Sequence, residues 1–241
     1  MPRFFVDPEN VTGEKAFVKG QDAVHIGRSL RMRLGDEVIV CCGGEDLLCK
    51  IDTISDKECQ LTVLEKRESI TEPTVELTLY QAMPKSDKLE LIVQKAVELG
   101  AARIVPVMTA RCVSRPDSKS FRKKQERLGK IALEAAKQCG RSKVPQIGEL
   151  LSFDEAVESL CEKQKALVCY EKGGVDLRKA IAPEEKEIGL FIGSEGGFEA
   201  SEVEQCEKRG AQIISLGSRI LRCETAPIAA ISVIMSLTGN L

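Results

Sequence analysis

The sequence predicts a two-part chain: a small, mostly β barrel over residues 1–70, then an α/β domain with a largely parallel sheet over residues 74–241. Two observations lead there. Short strand-like runs broken by turn pairs fill the first 70 residues, and strand and helix patterns alternate through the rest. With 241 residues, 43% hydrophobic and 30% charged, the chain has the length and balance for two modest globular cores.

In the first part FFV, AFV, DEVIVCC, DLLCKIDTI and ECQLTVLE read as strands, separated by Gly-Asp, Gly-Gly and Ser-Asp pairs. One helical stretch, DAVHIGRSLRM, interrupts them. ESITEP, residues 68–73, reads as a polar linker. VELTLYQA then reads as a strand, and KSDKLELIVQKAVELG as a helix with Leu89, Ile92, Val93, Ala96 and Val97 on one face and Gly100 as its C-terminal cap. RIVPVMT is a further strand. A long helix follows, with Leu128, Ile131, Ala132, Ala135, Ala136 and Cys139 as its apolar stripe. SFDEAVESL and SEVEQCEKRG each open on a Ser-x-x-Glu capping box. KALVCYE, EIGLFIG and AQIISLG are the buried strands between them.

Composition narrows the chemistry. A single histidine, His25, argues against a zinc or iron site and against histidine acid–base catalysis; it reads as a packing or capping residue. The ten cysteines show no Cys-x-x-Cys spacing and sit in apolar runs, as reduced side chains of a cytoplasmic protein do. No apolar leader or membrane-spanning run is expected. The net charge of −2 conceals an asymmetry: residues 71–145 carry 15 basic and 8 acidic side chains, and 111–143 alone carry 11 and 3. That segment, with Arg111, Arg115, Arg122, Lys123, Lys124 and Arg127, reads either as a polyanion-binding face or as a solvated helix surface.

Ligand sites in such sheets lie at the carboxyl ends of strands. Three loops stand there: CYEKGG (169–174), IGSEGGFEASE (192–202) and LGSRILRCETA (216–226). The second has three glycines in five residues, which would let a ligand approach the backbone. It matches neither the dinucleotide fingerprint nor the P-loop. The third places Arg219, Arg222 and Glu224 before a nearly uncharged segment.

Taken together, MPRFFV, HIGRSLRMRLGDEV, MPKSDKLELIVQKAVELGA, KIALEAAKQCGRSKVP, FIGSEGGFEASEVE and LGSRILRCETA resemble the bacterial 16S ribosomal RNA uracil-N3 methyltransferases of the SPOUT superfamily. The likeness runs along most of the chain and is most specific in the last two stretches. Ser194 and Ser218 stand where that family commonly has proline, and Cys223 where it has threonine. The resemblance implies a PUA-like barrel that binds RNA and a trefoil-knot α/β domain that binds S-adenosylmethionine. It implies a homodimer, with the helix after Thr225 buried in the knot and the subunit interface. The substrate would be 16S ribosomal RNA or the assembled small subunit, without a metal or a membrane.

On this view the cofactor pocket is formed by Leu167 and Tyr170, by Ile192, Gly193, Ser194, Glu195, Gly196 and Gly197, and by Leu216, Gly217, Ser218, Ile220, Leu221, Arg222, Thr225 and Ala226. RNA contacts would come from Arg3, Arg28, Arg31, Arg33 and Arg141 as well as from the basic segment. An arginine aimed at the uracil oxygens would stabilise the charge left when the N3 proton departs; Arg222 is the first choice and Arg219 the second. Glu224 or Glu195 would accept the proton. The competing readings are a loop-capping role for Glu195, and a helix-terminus contact or an ion pair with an arginine for Glu224. Rival activities are ribose 2′-O methylation, RNA binding without catalysis, and an ordinary nucleotide-binding enzyme, for which the phosphate loop is missing.

Overall fold

The computed structural model describes the backbone of all 241 residues and every side chain except that of Ser118. The chain divides into two compact units, residues 1–72 with 136–143, and residues 73–135 with 144–241.

The first unit is built on β1 (Arg3–Phe5), β2 (Val11–Thr12), β3 (Lys15–Lys19), β4 (Glu37–Cys42), β5 (Glu45–Ile54) and β6 (Glu58–Glu68), in the order β1-β4-β5-β6-β3-β2. All neighbours are antiparallel except β1 with β4. The sheet is curled but open: no pairing joins β1 to β2 among the described residues, so the expected barrel is a half-barrel. Register shifts at Leu48/Cys49 and Ile51/Thr53 bend β5 against β6. Alternate residues Val38, Val40, Leu47, Cys49, Ile51, Cys59 and Leu61 fill the concave side together with Phe4 and Ile26. The helical interruption is α1 (Gln21–Val24), continued as a π-helical turn to Ser29. It stops short of Met32 because Arg31 takes a left-handed φ of 51°. His25 lies exposed at the start of that turn rather than packed.

The segment 68–73 is no free linker. Glu72 accepts from Arg141 Nη2 (2.8 Å) and from the backbone N–H groups of Ser142 (2.8 Å) and Lys143 (3.0 Å). Nearby, Arg3 grips Asp46 through both terminal nitrogens at 2.8 Å.

The second unit holds β7 (Glu76–Ala82), β8 (Arg103–Met108), β9 (Gln146–Ile147), β10 (Leu151–Ser152), β11 (Lys165–Cys169), β12 (Val175–Asp176), β13 (Glu187–Ile192) and β14 (Gln212–Ser215). Every pairing is parallel, in the order β10-β8-β7-β13-β11-β14-β12, with β9 beside β8. Central strands β7 and β13 are buried along almost their whole length; β13 reads as a buried apolar run, whereas β7 buries Thr78 and Gln81 as well. The helices are α2 (Lys88–Glu98), α3 (Ser118–Cys139, whose last turn falls in the first unit), α4 (Phe153–Cys161), α5 (Leu177–Ala180), α6 (Ala200–Lys208) and α7 (Thr225–Leu237).

Gly100 ends α2 with φ +95°, and Ala101 N–H reaches back to Ala96 O at 2.9 Å, as the Schellman motif requires. The capping box of α4 is Ser152 with Glu155, as expected. That of α6 is not Ser201 with Glu204 but Glu199 with Glu202, two residues earlier. Glu202 is also held by Ala110 N–H at 2.8 Å, and this tertiary bond sets the start of the helix. The sheet order is not the chain order: β14 lies beyond β11, and α7 then returns to pack on α2 and α5. The second unit is thus an α/β domain on a parallel sheet, as the alternation of strand and helix patterns predicts. Among the described residues no helix is long and apolar enough to cross a membrane.

Candidate functional site

Because β11, β13 and β14 are parallel neighbours, their carboxyl ends release three loops side by side. Together they enclose a cavity of about 450 Å³ lined by Cys169–Glu171, Ile192–Gly197, Ser215–Gly217, Arg219–Cys223, Lys88 and Ala226. Most of the expected cofactor residues meet here. Leu167, Ser218 and Thr225 are not part of the lining: Leu167 is fully buried within β11, between Leu190 and Gln212.

The glycine turn after β13 is tight. Gly197 N–H bonds to Ser194 O at 3.0 Å, and Gly197 has φ +66°. A Cβ on Gly193 would lie 3.1 Å from Gly197 Cα, one on Gly196 2.9 Å from Arg111 Cβ, and one on Gly197 3.0 Å from the Glu171 carboxylate. Chain atoms crowd each of these three glycines, so none tolerates a Cβ, and all three still present backbone to the cavity. Gly217 is the open one: φ is +106°, and a Cβ there would meet nothing within 4 Å.

Two residues outside the expected pocket brace this turn. Arg111 donates to Gly196 O (2.9 Å), and its own carbonyl accepts from Ser194 Oγ (3.4 Å). Lys88 Nζ stands 3.1 Å from Glu195 Oε1 and 3.1 Å from Glu224 Oε2. Its hydrogen bonds to Glu224 and Glu195 raise it to about 12. Partial burial pushes both carboxylates up. For Glu195, bonds from backbone N–H groups and Lys88 outweigh this; for Glu224, Cys223, a backbone bond and Lys88 do so. Both end below the usual carboxylate range, so they are ionised near neutrality. The Cys223 thiol, pushed up to about 12 chiefly by burial, stays protonated and donates to Glu224 at 3.2 Å. The ion pair foreseen for Glu224 thus exists, with a lysine rather than an arginine.

Arg219 and Arg222 line the cavity with exposed side chains that have no hydrogen-bond or ion-pair partner among the described residues. Arg222 also ties the loop to the start of α7, its carbonyl accepting from the N–H of Thr225 and Ala226 at 2.9 Å each.

The candidate RNA contacts divide sharply. Arg3 and Arg141 are spent on Asp46 and Glu72, Arg28 pairs with Asp56, and Arg127 pairs with Glu90 at 2.8 Å. Arg115 donates to the carbonyls of Cys112, Thr109 and Ala110. Lys124 reaches Ser86 O only at 3.5 Å. Arg31, Arg33, Arg122 and Lys123 are exposed, with side chains that bond to no described residue.

Fold and cavity define a class, and comparison with known proteins places the chain in it. The model of an RNA methyltransferase domain matches residues 71–235, and that of an RNA methyltransferase PUA domain matches 18–64. The chain belongs to the RNA methyltransferase family described by these models. It is 34% identical to the ribosomal RNA small subunit methyltransferase E of Bacillus subtilis, over 97% of this chain and 96% of that one. To the protein of the same name from Mycobacterium bovis it is 29% identical over 98% and 92%. The crystal structure of such an enzyme from Neisseria gonorrhoeae, bound to S-adenosyl methionine, superposes with a TM-score of 0.87 at 30% identity, covering 98% of each chain.

Proposed function

We propose that this protein methylates N3 of a uridine in the RNA of the small ribosomal subunit, using S-adenosylmethionine. The carrying observation is one cavity shared by three strand-end loops, with two arginines in its wall that have no partner among the described residues. The cavity fits the cofactor on its own terms. It has the volume of a small-molecule site, Leu216, Ile220 and Leu221 give it apolar surface, and Gly217 leaves space that a Cβ would fill. The residues of 192–197, 215–217, 219–223 and 169–171 would hold the group, together with Ala226. When bound, S-adenosylmethionine supplies an electrophilic methyl group on a sulfonium sulfur.

The protein's part is alignment and charge. Arg222, with Arg219 as the alternative, would donate to uracil O2 or O4 and stabilise the negative charge that spreads there as the N3 proton leaves. Glu195 and Glu224 are ionised and so able to accept that proton, directly or through water. Their shared bond to Lys88 makes each a weaker base than a free carboxylate. RNA phosphates would be met by the cations that the fold leaves unengaged: Arg31 and Arg33 in the first unit, Arg122 and Lys123 in the second. The enzyme would act in the cytoplasm as a homodimer. The half-exposed Ile228, Ala229, Ser232 and Val233 on α7 are suited to the subunit contact.

The test is incubation of small-subunit RNA, free and assembled, with methyl-labelled S-adenosylmethionine, followed by mapping of the labelled nucleotide. N3-methylation removes a Watson–Crick donor, so reverse transcriptase should stop at that uridine. Label on ribose, or on transfer RNA alone, would overturn the proposal.

A further inference from the structure

Lys88 opens α2, where a cation meets the positive end of the helix dipole. An unfavourable placement of this kind needs a compensating partner, and Lys88 has two. Glu195 belongs to the glycine turn after β13, and Glu224 to the loop between β14 and α7; each has an oxygen 3.1 Å from the same Nζ. Among the described residues no hydrogen bond or ion pair runs directly between 193–197 and 216–226, whereas Lys88 bonds to both. Cys223 Sγ, 3.8 Å from Nζ, extends the contact along the second loop.

We infer that Lys88 is a positioning residue that fixes the separation of the two cavity loops and so aims the wall carrying Arg219 and Arg222. The inference rests on the methyl-transfer reading of that cavity. Two carboxylates that share one ammonium attract it from both sides; without it they repel across a short gap, and the loops part. The flexible stem and compact charge of lysine suit a bridge between two acceptors. Lys88 then serves the reaction without touching the reacting atoms. Glu195 and Glu224 act in part as the two anchor points of that bridge.

The experiment uses the full chain and its Lys88→Met and Lys88→Arg variants. Hydrogen–deuterium exchange is followed without cofactor over 193–197 and 219–226, S-adenosylmethionine affinity by calorimetry, and single-turnover methylation of small-subunit RNA on the same preparations. Lys88→Met, which keeps the stem and loses the charge, should exchange at least ten-fold faster in both loops while the sheet is unchanged. It should bind the cofactor at least ten-fold more weakly and turn over more slowly even at saturation. Lys88→Arg should recover most of each loss. Unaltered exchange, loosening spread over β7 and β13, or an arginine variant no better than methionine overturns the inference. If Lys88→Met does not fold, Glu195→Gln and Glu224→Gln each remove one arm, and either should loosen both loops; unchanged exchange in both variants is again decisive against it. A parent chain that neither binds S-adenosylmethionine nor methylates RNA would refute the function reading instead, and the exchange rates would still judge the bridge.

Discussion

Two pairs of arginines in this molecule have opposite fates. In the first unit Arg3 and Arg141 are locked onto Asp46 and Glu72, and the Arg141 side chain is only 5% exposed. In the second, Arg219 and Arg222 stand in a cavity wall with no partner among the described residues, beside an Ile220 that is 82% exposed. The same guanidinium serves architecture where a carboxylate and backbone groups surround it, and is left for an external partner where they do not. A buried pair resists the loss of either member, because the survivor keeps its desolvation cost without its partner. An unengaged arginine can be removed with little cost to the fold, and its loss is felt only by what it binds.

The largest effect that would sharpen this contrast is on catalysis. Arg222→Ala should lower the single-turnover rate about 10²- to 10³-fold, the range for loss of one donor to a developing oxyanion. Thermal stability and cofactor affinity should change little, and Arg222→Lys should restore activity in part. A variant that melts early or loses the cofactor would place Arg222 with the architectural pair. Next is the reverse case. Glu72→Ala withdraws the carboxylate from Arg141 and from two backbone N–H groups and should destabilise the protein by about 3 kcal/mol, read from urea unfolding. An unchanged midpoint would mean that the buried pair contributes nothing.

A smaller effect is expected on RNA binding. Arg122→Ala with Lys123→Ala should flatten the salt dependence of affinity by about two phosphate contacts and leave cofactor affinity alone. A slope equal to the parent's would return this part of α3 to an ordinary solvated surface. The smallest effect concerns pH. Burial raises Asp46 and Glu72, but bonds from Arg3 and Arg141 hold both below the usual range. Carboxylates depressed in the folded state contribute stability that is complete above their unfolded values, about 4, and is lost as pH falls through the folded ones. Unfolding midpoints should therefore be level near neutrality and fall in acid, and Glu72→Gln should show a shallower acid decline than the parent.

Much of the framework was legible because periodicity is local. The buried runs in β11, β13 and β14, the glycine ending α2 and the capping box of α4 each depend on residues within a few positions of one another. The cavity loops could be named because strand ends in a parallel sheet are where sites form. The places where sequence misled are those set by distant atoms. The α6 cap moved two residues because Ala110 holds Glu202. The neighbours that crowd the clustered glycines, Arg111 and Glu171, come from other loops and could not be read from the turn itself.

Sequence by itself determined the type and order of the main strands and helices, since propensity and hydrophobic spacing act over a few residues. Only tertiary structure decided which charges are spent and which are free. Arg3 meets a partner 43 residues away and Arg141 one 69 residues away, and Lys88 joins carboxylates from two other loops. Charge pairing depends on distance in space, and the non-sequential strand order sets those distances in ways that no local pattern encodes.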